Sequence, residues 1–379
     1  MCGFHYEYLF KFLFKWACDQ CTFMNEPDFL ACGMCTAQRP SVKKPREDEK
    51  EKAVFTGDTL FIGDCGRPDL REKAGAITAA REELARQMYY SLREKIMILP
   101  DDVVVYPAHG AGSLCGKGLS QENSSTIRSE KNGNWSLQKM SEAEFVAELL
   151  SDQPFIPKYF PFDVGINKKG APGFKRSVSK VMRRDHLTEK GDVKTLDPEV
   201  IIIDSRPQAQ FKRAHLKNAI NLMNDTKFET WLGSIVNPGE PFYLIAENEI
   251  VLDELIERSA KIGYETQILL AFVVEYGDAK MDIFDSSKLE VDEEAFTIVD
   301  IRNHSEIKAG KIFQNAIHIP LYELRERIGE IPVEKPVVVH CAGGYRSAAG
   351  SSIIKSELKR AVEVYDLGVA VTGFRQLVK

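Results

Sequence analysis

Two stretches of this chain repeat each other, and the repeat constrains the fold more than any other feature. IIIDSRPQAQFKRAHLKNAINL (201–222) and TIVDIRNHSEIKAGKIFQNAIHIPL (297–321) each run an apolar strand into Asp-x-Arg. Each then passes through a polar helical stretch and reaches Asn-Ala-Ile followed by alternating residues. The pairs Asp204/Arg206 and Asp300/Arg302 lie 96 positions apart. Self-similarity at a fixed spacing marks one structural unit used twice. Short apolar strands alternating with helices need crossover connections, so each unit should be an α/β domain with a mostly parallel sheet. The expected bounds are 174–278 and 285–379.

The rest of the chain is less regular. At 379 residues, 44% hydrophobic and 28% charged, there is material for several domains with buried cores. A net charge of −6 gives no reason to expect nucleic acid or an anionic membrane as partner. FHYEYLFKFLFKW near the start is apolar but interrupted by Glu7, Lys11 and Lys15, too short to span a membrane and without a signal-peptide cleavage pattern. The expectation is a soluble, cytoplasmic protein. QRPSVKKPREDEKEK reads as a charged linker over 39–52. Globular texture resumes over 53–173, with strand-like AVFTGDTLFIGDCGRPDL and DDVVVYPAHG, helical ITAAREELARQMYYSLREKIMIL and EAEFVAELLSD, and a proline-rich edge in QPFIPKYFPFD.

Within the second repeat, VVVHCAGGYRSAAGSS (337–352) sets a single cysteine at the end of a β-branched run bounded by Pro336. Such a run suits a central strand covered on both faces. Cys341 then stands at the carboxyl end of a parallel strand, where open α/β sheets form their ligand crevices. Gly343 and Gly344 allow a tight turn that gathers N–H groups, and SAAGSSIIKSELKR starts a helix whose positive end faces the same point. A loop of this kind favours a thiolate and holds an anionic substrate with the same atoms. An ordinary core cysteine does not call for Gly-Gly, an arginine and a helix start in the next positions.

His-Cys-Ala-Gly-Gly-Tyr-Arg-Ser-Ala resembles the active-site loop of rhodanese-type sulfurtransferases, and both repeats resemble rhodanese domains. The resemblance implies that Cys341 takes sulfur from thiosulfate or a persulfide, becomes a cysteine persulfide and passes the sulfur to a thiol or cyanide. It gives Arg346 to the anionic substrate, and Ala342, Gly343, Gly344, Tyr345 and Ser347 to substrate binding through the loop. Protein tyrosine phosphatases also place His-Cys before an anion loop ending in Arg, but with five intervening residues where this chain has four. The smaller ring suits a sulfur substituent better than a tetrahedral phosphate, leaving phosphatase or arsenate reductase chemistry as an alternative. The first repeat offers PFYLIAENEIVLDELIERSAKIGY at the equivalent place, and no cysteine occurs between 116 and 340. That domain is read as an inactive structural or substrate-shaping partner. His215 and His318, near the Asn-Ala-Ile turns, are read as structural.

FTGDTLFIGDCGRPDL with YPAHG resembles the later part of a metallo-β-lactamase (αββα) fold, as found in persulfide dioxygenases and their rhodanese fusions. That likeness gives Asp58 and His109 to metal positions. The family's early His-x-His-x-Asp-His motif has no counterpart, because His5 alone precedes Asp58. An iron oxygenase of this kind needs two histidines and a carboxylate. The expectation is a partial fold, a vestigial site, no functional iron and no dioxygenase activity.

WACDQCTFMNEPDFLACGMC contains two Cys-x2-Cys pairs, Cys18/Cys21 and Cys32/Cys35. They can close a tetrahedral thiolate site, and so short a segment has no core without one. With Trp16 and Asn25 the spacing resembles the Ran-binding-protein class of zinc finger, expected over 14–38 with a structural zinc. Ubiquitin-binding members of that class present residues matched here by Thr22, Phe23 and Met34, which implies weak binding of ubiquitin or a similar protein. The combined expectation is a sulfurtransferase carrying a recruiting finger. The alternative is a ubiquitin-binding adaptor with a vestigial loop.

Overall fold

The computed structural model describes residues 16–17, 24–25, 52–70, 81–111, 113–187, 194–358 and 362–376. Two compact units divide between Ile156 and Pro157. In the first, β1 (Trp16–Ala17) pairs antiparallel with β2 (Met24–Asn25). Cys18, Cys21, Cys32, Cys35, Thr22, Phe23 and Met34 lie outside the described residues. Farther along, β3 (Ala53–Gly57) is followed by the short hairpin β4 (Leu60–Phe61) and β5 (Asp64–Cys65), then β6 (Val104–Pro107) and β7 (Ser125–Thr126). Strand β6 is central, parallel to β3 and antiparallel to β7.

Helices over Arg81–Ser91 and Glu142–Leu150 cover this small sheet. The second begins at Ser141 with a reciprocal capping box to Glu144. Phe145 and Leu149, four residues apart and so on one helix face, join Met88, Leu92 and Val105 in the core. The buried Asp64 carboxylate gathers the unit's loops. It accepts from the Cys65 and Lys117 amides, the Gly118 amide and the Trp135 indole N–H at 2.7–3.1 Å.

The second unit starts earlier than the proline-rich edge near 173 suggested. The helix Tyr159–Lys169 packs on the first repeat. A Cβ on Gly233 would run into the Tyr159 ring, one on Gly263 into Ile166, and the Phe162 and Tyr264 rings meet edge to face at 6.0 Å. The prolines do not end the fold here: Pro157 precedes the helix and Pro161 sits in its first turn, where its missing N–H costs no helical hydrogen bond.

Both repeats form the expected parallel sheets. The first holds β8 (Arg183–Leu187), β9 (Ile201–Asp204), β10 (Ala219–Asn221), β11 (Phe242–Ala246) and β12 (Ile268–Val274) in the order β10-β9-β11-β12-β8. The second holds β13 (Thr297–Asp300), β14 (Ile317–His318), β15 (Val337–His340) and β16 (Val364–Asp366) in the order β14-β13-β15-β16. All pairings are parallel. The central strands β11 and β15 are buried along their whole length, as a continuous apolar run requires.

The repeated Asp-x-Arg is a buried ion pair that closes the turn after each strand. Arg302 donates to Asp300 from its backbone and side chain, its Nη2 reaching Oδ2 at 2.7 Å and the Gly310 carbonyl at 3.1 Å. Arg206 does the same with Asp204 at 2.6 Å and the Ala214 carbonyl at 3.0 Å. The arginine thus ties the end of a strand to the end of the following helix, with both charges paired out of water.

Candidate functional site

Cys341 follows β15 directly and its side chain is buried. Its sulfur accepts the Gly344 N–H at 3.1 Å. Gly344 has φ +99°, and a Cβ there would stand 3.0 Å from the backbone of Gly368 and Val369, so only glycine fits on both counts. The helix Tyr345–Glu357 starts at once and points its N-terminal end at the sulfur. Its first turns explain the string of small residues. Ser347 through Ser352 are all buried, a Cβ on Gly350 would meet Ile301 at 2.6 Å, and Ser352 Oγ accepts the Asn221 amide of the first repeat at 2.9 Å. The helix is wedged between its own sheet and β10.

The loop residues divide in their roles. Gly343 is the exposed apex. The Ala342 carbonyl accepts from Arg375 at 3.0 Å, and the Ser347 hydroxyl donates back to the Gly344 carbonyl at 3.1 Å. Tyr345 sends its hydroxyl to the Met223 carbonyl of the first repeat at 3.1 Å, and burial pushes that phenol up.

Arg346, expected at the anionic substrate, has a carboxylate partner in the structure. Both terminal nitrogens are held by Glu306, at 2.6 and 2.8 Å, and the guanidinium lies 5.9 Å from the centre of the Trp231 ring. Burial works against its charge, but the Glu306 hydrogen bonds and charge outweigh it and keep Arg346 above its ordinary value. Arg346 therefore fixes the end of the loop and brings its positive charge there already paired.

His340, just before the cysteine, has no exposed surface. Burial pushes its imidazole down to about 4, although Asp300 lies 3.5 Å away and favours the charged form. Packed against Phe313 at 5.0 Å, it is a neutral residue under the loop. His215 and His318 serve structure, the first bonding the Phe211 carbonyl at 2.7 Å and the second the Arg302 carbonyl at 2.8 Å.

Register shows what the first repeat lost. Asp300 pairs with His340 across the second sheet and Asp204 with Ile245 across the first, so Ala246 occupies the position of Cys341. There the Asn248 side chain caps the helix by accepting the Val251 N–H at 3.0 Å, whereas the Gly344 cap of the second repeat makes no side-chain hydrogen bond.

Sequence reasoning missed Glu306, Trp231, Lys212 and Asp366 around this site. Glu306 carried one local signal as the third helical residue after Asn303, the far member of a capping box.

In the first unit, Asp58 Oδ1 lies 3.0 Å from His109 Nε2, and donor atoms of Asp58, His109 and Cys115 are within 4.8 Å of one another. The set does not fit the iron of a dioxygenase, which needs two histidines and a carboxylate. Among the described residues it supplies one histidine and one carboxylate.

Residues 187–270 and 285–371 each match the family of the rhodanese-like domain, so the chain carries two such domains. The mitochondrial persulfide dioxygenase ETHE1 of Mus musculus is 30% identical over 116 residues, covering 31% of this chain and 37% of that protein. Its Homo sapiens counterpart is 41% identical over 56 residues, or 15% of this chain and 18% of that protein. The chain thus spans well under half the length of these curated relatives. A metallo-β-lactamase crystal structure from Staphylococcus aureus subsp. aureus COL aligns with a TM-score of 0.50 at 31% identity, covering 59% of each chain. The arrangement is a mixed α/β protein with two rhodanese-like domains and a likeness to metallo-β-lactamase-fold proteins. Among the described residues no helix is long and apolar enough to cross a membrane.

Proposed function

We propose that this protein is a sulfurtransferase whose carrier is Cys341. The Cys341 thiolate attacks the outer sulfur of thiosulfate or of a persulfide. The S–S bond of the donor breaks, sulfite or a thiolate leaves, and Cys341 is left as a persulfide anion. An acceptor thiolate then attacks the terminal sulfur, takes it as a new persulfide and returns Cys341 to the thiolate. The observation that carries this reading is the Gly344 N–H donated to the Cys341 sulfur at the start of an uncapped helix, since the same turn offers amides to the added sulfur.

Loop amides from Ala342 to Ser347 hold the negative charge, and Arg346 positions the loop through Glu306. Persulfide dioxygenase activity is not part of the proposal. The test is intact mass after incubation with thiosulfate, on the wild type and on Cys341→Ser. One added sulfur atom in the first and none in the second is expected. No adduct from thiosulfate or glutathione persulfide on a folded wild type sinks the reading and leaves an adaptor role.

For the N-terminal segment we propose a structural zinc on Cys18, Cys21, Cys32 and Cys35, and ubiquitin or a similar protein bound through Thr22, Phe23 and Met34, in a cytoplasmic protein. Trp16–Ala17 and Met24–Asn25, which flank the first cysteine pair in the sequence, pair antiparallel, and this supports the reading. Titration of labelled ubiquitin tests it, and Thr22→Ala/Phe23→Ala is expected to abolish binding.

A further inference from the structure

We propose that the first rhodanese-like domain, which lacks a thiol, positions the Cys341 loop through Lys212, acting by way of Asp366 and the Gly368 turn. The proposal deepens the sulfurtransferase reading and rests on it for its functional meaning.

The path is a chain of short contacts. Asp366 ends β16, beside β15, with a fully buried carboxylate. Its Oδ1 accepts the Gly368 N–H at 2.8 Å and so shapes the turn that leaves the strand. Gly368 sits at φ +58°, and the backbone of Gly368 and Val369 presses on Gly344, at 3.0 Å from where a Cβ would stand. Gly344 in turn gives its N–H to the sulfur of Cys341. A shift of the 366–369 turn therefore moves the amide that faces the reacting atom.

The charge at the head of this path is neutralised from the other domain. The Lys212 Nζ lies 3.0 Å from Asp366 Oδ2, and Gln208 donates to the same oxygen. Both come from one short helix of the first repeat, Gln208–Arg213. A buried carboxylate without a partner is strongly unfavourable. Loss of Lys212 thus leaves Asp366 with its Gln208 and Gly368 hydrogen bonds but no opposite charge, which draws the carboxylate toward water and releases the turn. Two further contacts bear on the loop from the same domain, Tyr345 to the Met223 carbonyl and Arg346 beside Trp231. They explain why a domain with Ala246 in place of the nucleophile still contributes to the site.

The experiment compares full-length wild type with Lys212→Met by two readouts, well below both melting temperatures. One is the rate of persulfide formation with thiosulfate, by intact mass. The other is the rate of Cys341 alkylation by iodoacetamide, which needs no sulfurtransferase activity. Both rates are expected to fall about tenfold, and Lys212→Met/Asp366→Asn, which removes the unpaired charge but keeps an acceptor for Gly368, is expected to recover most of the loss. Unchanged rates in a folded Lys212→Met protein overturn the proposal even if its melting temperature drops. Should that variant not fold, Gln208→Leu carries the test, with a fall of about threefold expected and no change overturning the proposal. If wild type forms no persulfide, the sulfurtransferase reading fails separately, and alkylation still decides whether Lys212 positions the loop.

Discussion

Glu306 grips both terminal nitrogens of Arg346 while one of its oxygens also accepts the Asn303 amide at 2.9 Å. One carboxylate therefore caps the helix after the Asp-x-Arg turn and fixes the far end of the cysteine loop. Glu306→Ala should free the guanidinium and slow persulfide formation by about ten- to a hundredfold, the scale on which small misplacements of reacting groups act. Arg346→Lys should not preserve the rate, because an ammonium cannot reproduce a two-point grip. Time-resolved intact mass with thiosulfate checks both.

Gly344→Ala tests the turn itself. The positive φ alone costs an alanine about 1–3 kcal/mol, and the new methyl meets backbone, which cannot swing aside as a side-chain tip can. The variant should melt lower and lose the persulfide adduct. Gly343→Ala, at an open apex with nothing within 4 Å of the added methyl, should keep both.

His340 predicts a pH dependence. Its imidazole is held near 4 when folded, against an ordinary value of 6.5 in the unfolded chain. As pH falls below 6.5 the unfolded chain takes up a proton that the folded protein refuses, so stability drops until about pH 4 and then levels off. Urea unfolding of the second unit should show wild type losing more stability between pH 7 and pH 5 than His340→Gln, which cannot titrate. Above pH 7 the residue contributes no slope.

What the sequence disclosed follows the range of the interactions. The parallel sheets, the strand-end Cys341 and the glycines after it were legible because strand pattern, turn chemistry and helix start all lie within a few residues. The likeness between repeats also located the missing thiol, and register places Ala246 there. The pairing of Arg346 was not legible because its partner Glu306 is 40 positions away, and no local pattern announces that contact. Asp366 reads as an ordinary strand-end acid, although its partners Lys212 and Gln208 lie in the other repeat. The helix Tyr159–Lys169 was obscured by prolines that mark a boundary in one setting and a helix start in another.

Asp64 gives the last prediction, on the stability of the first unit. Four N–H groups from three separate stretches converge on its carboxylate, which is 2% exposed. Asp64→Ala strands those donors inside the protein, at a cost of about 3–5 kcal/mol. Asp64→Asn keeps two acceptor lone pairs but turns an NH2 group toward donors, so it should recover only part of the loss. Guanidinium unfolding followed by Trp135 fluorescence should show the midpoint order wild type, Asn, Ala. Persulfide formation at Cys341 should stay at the wild-type rate in both variants, since the residues that hold its loop all belong to the second compact unit.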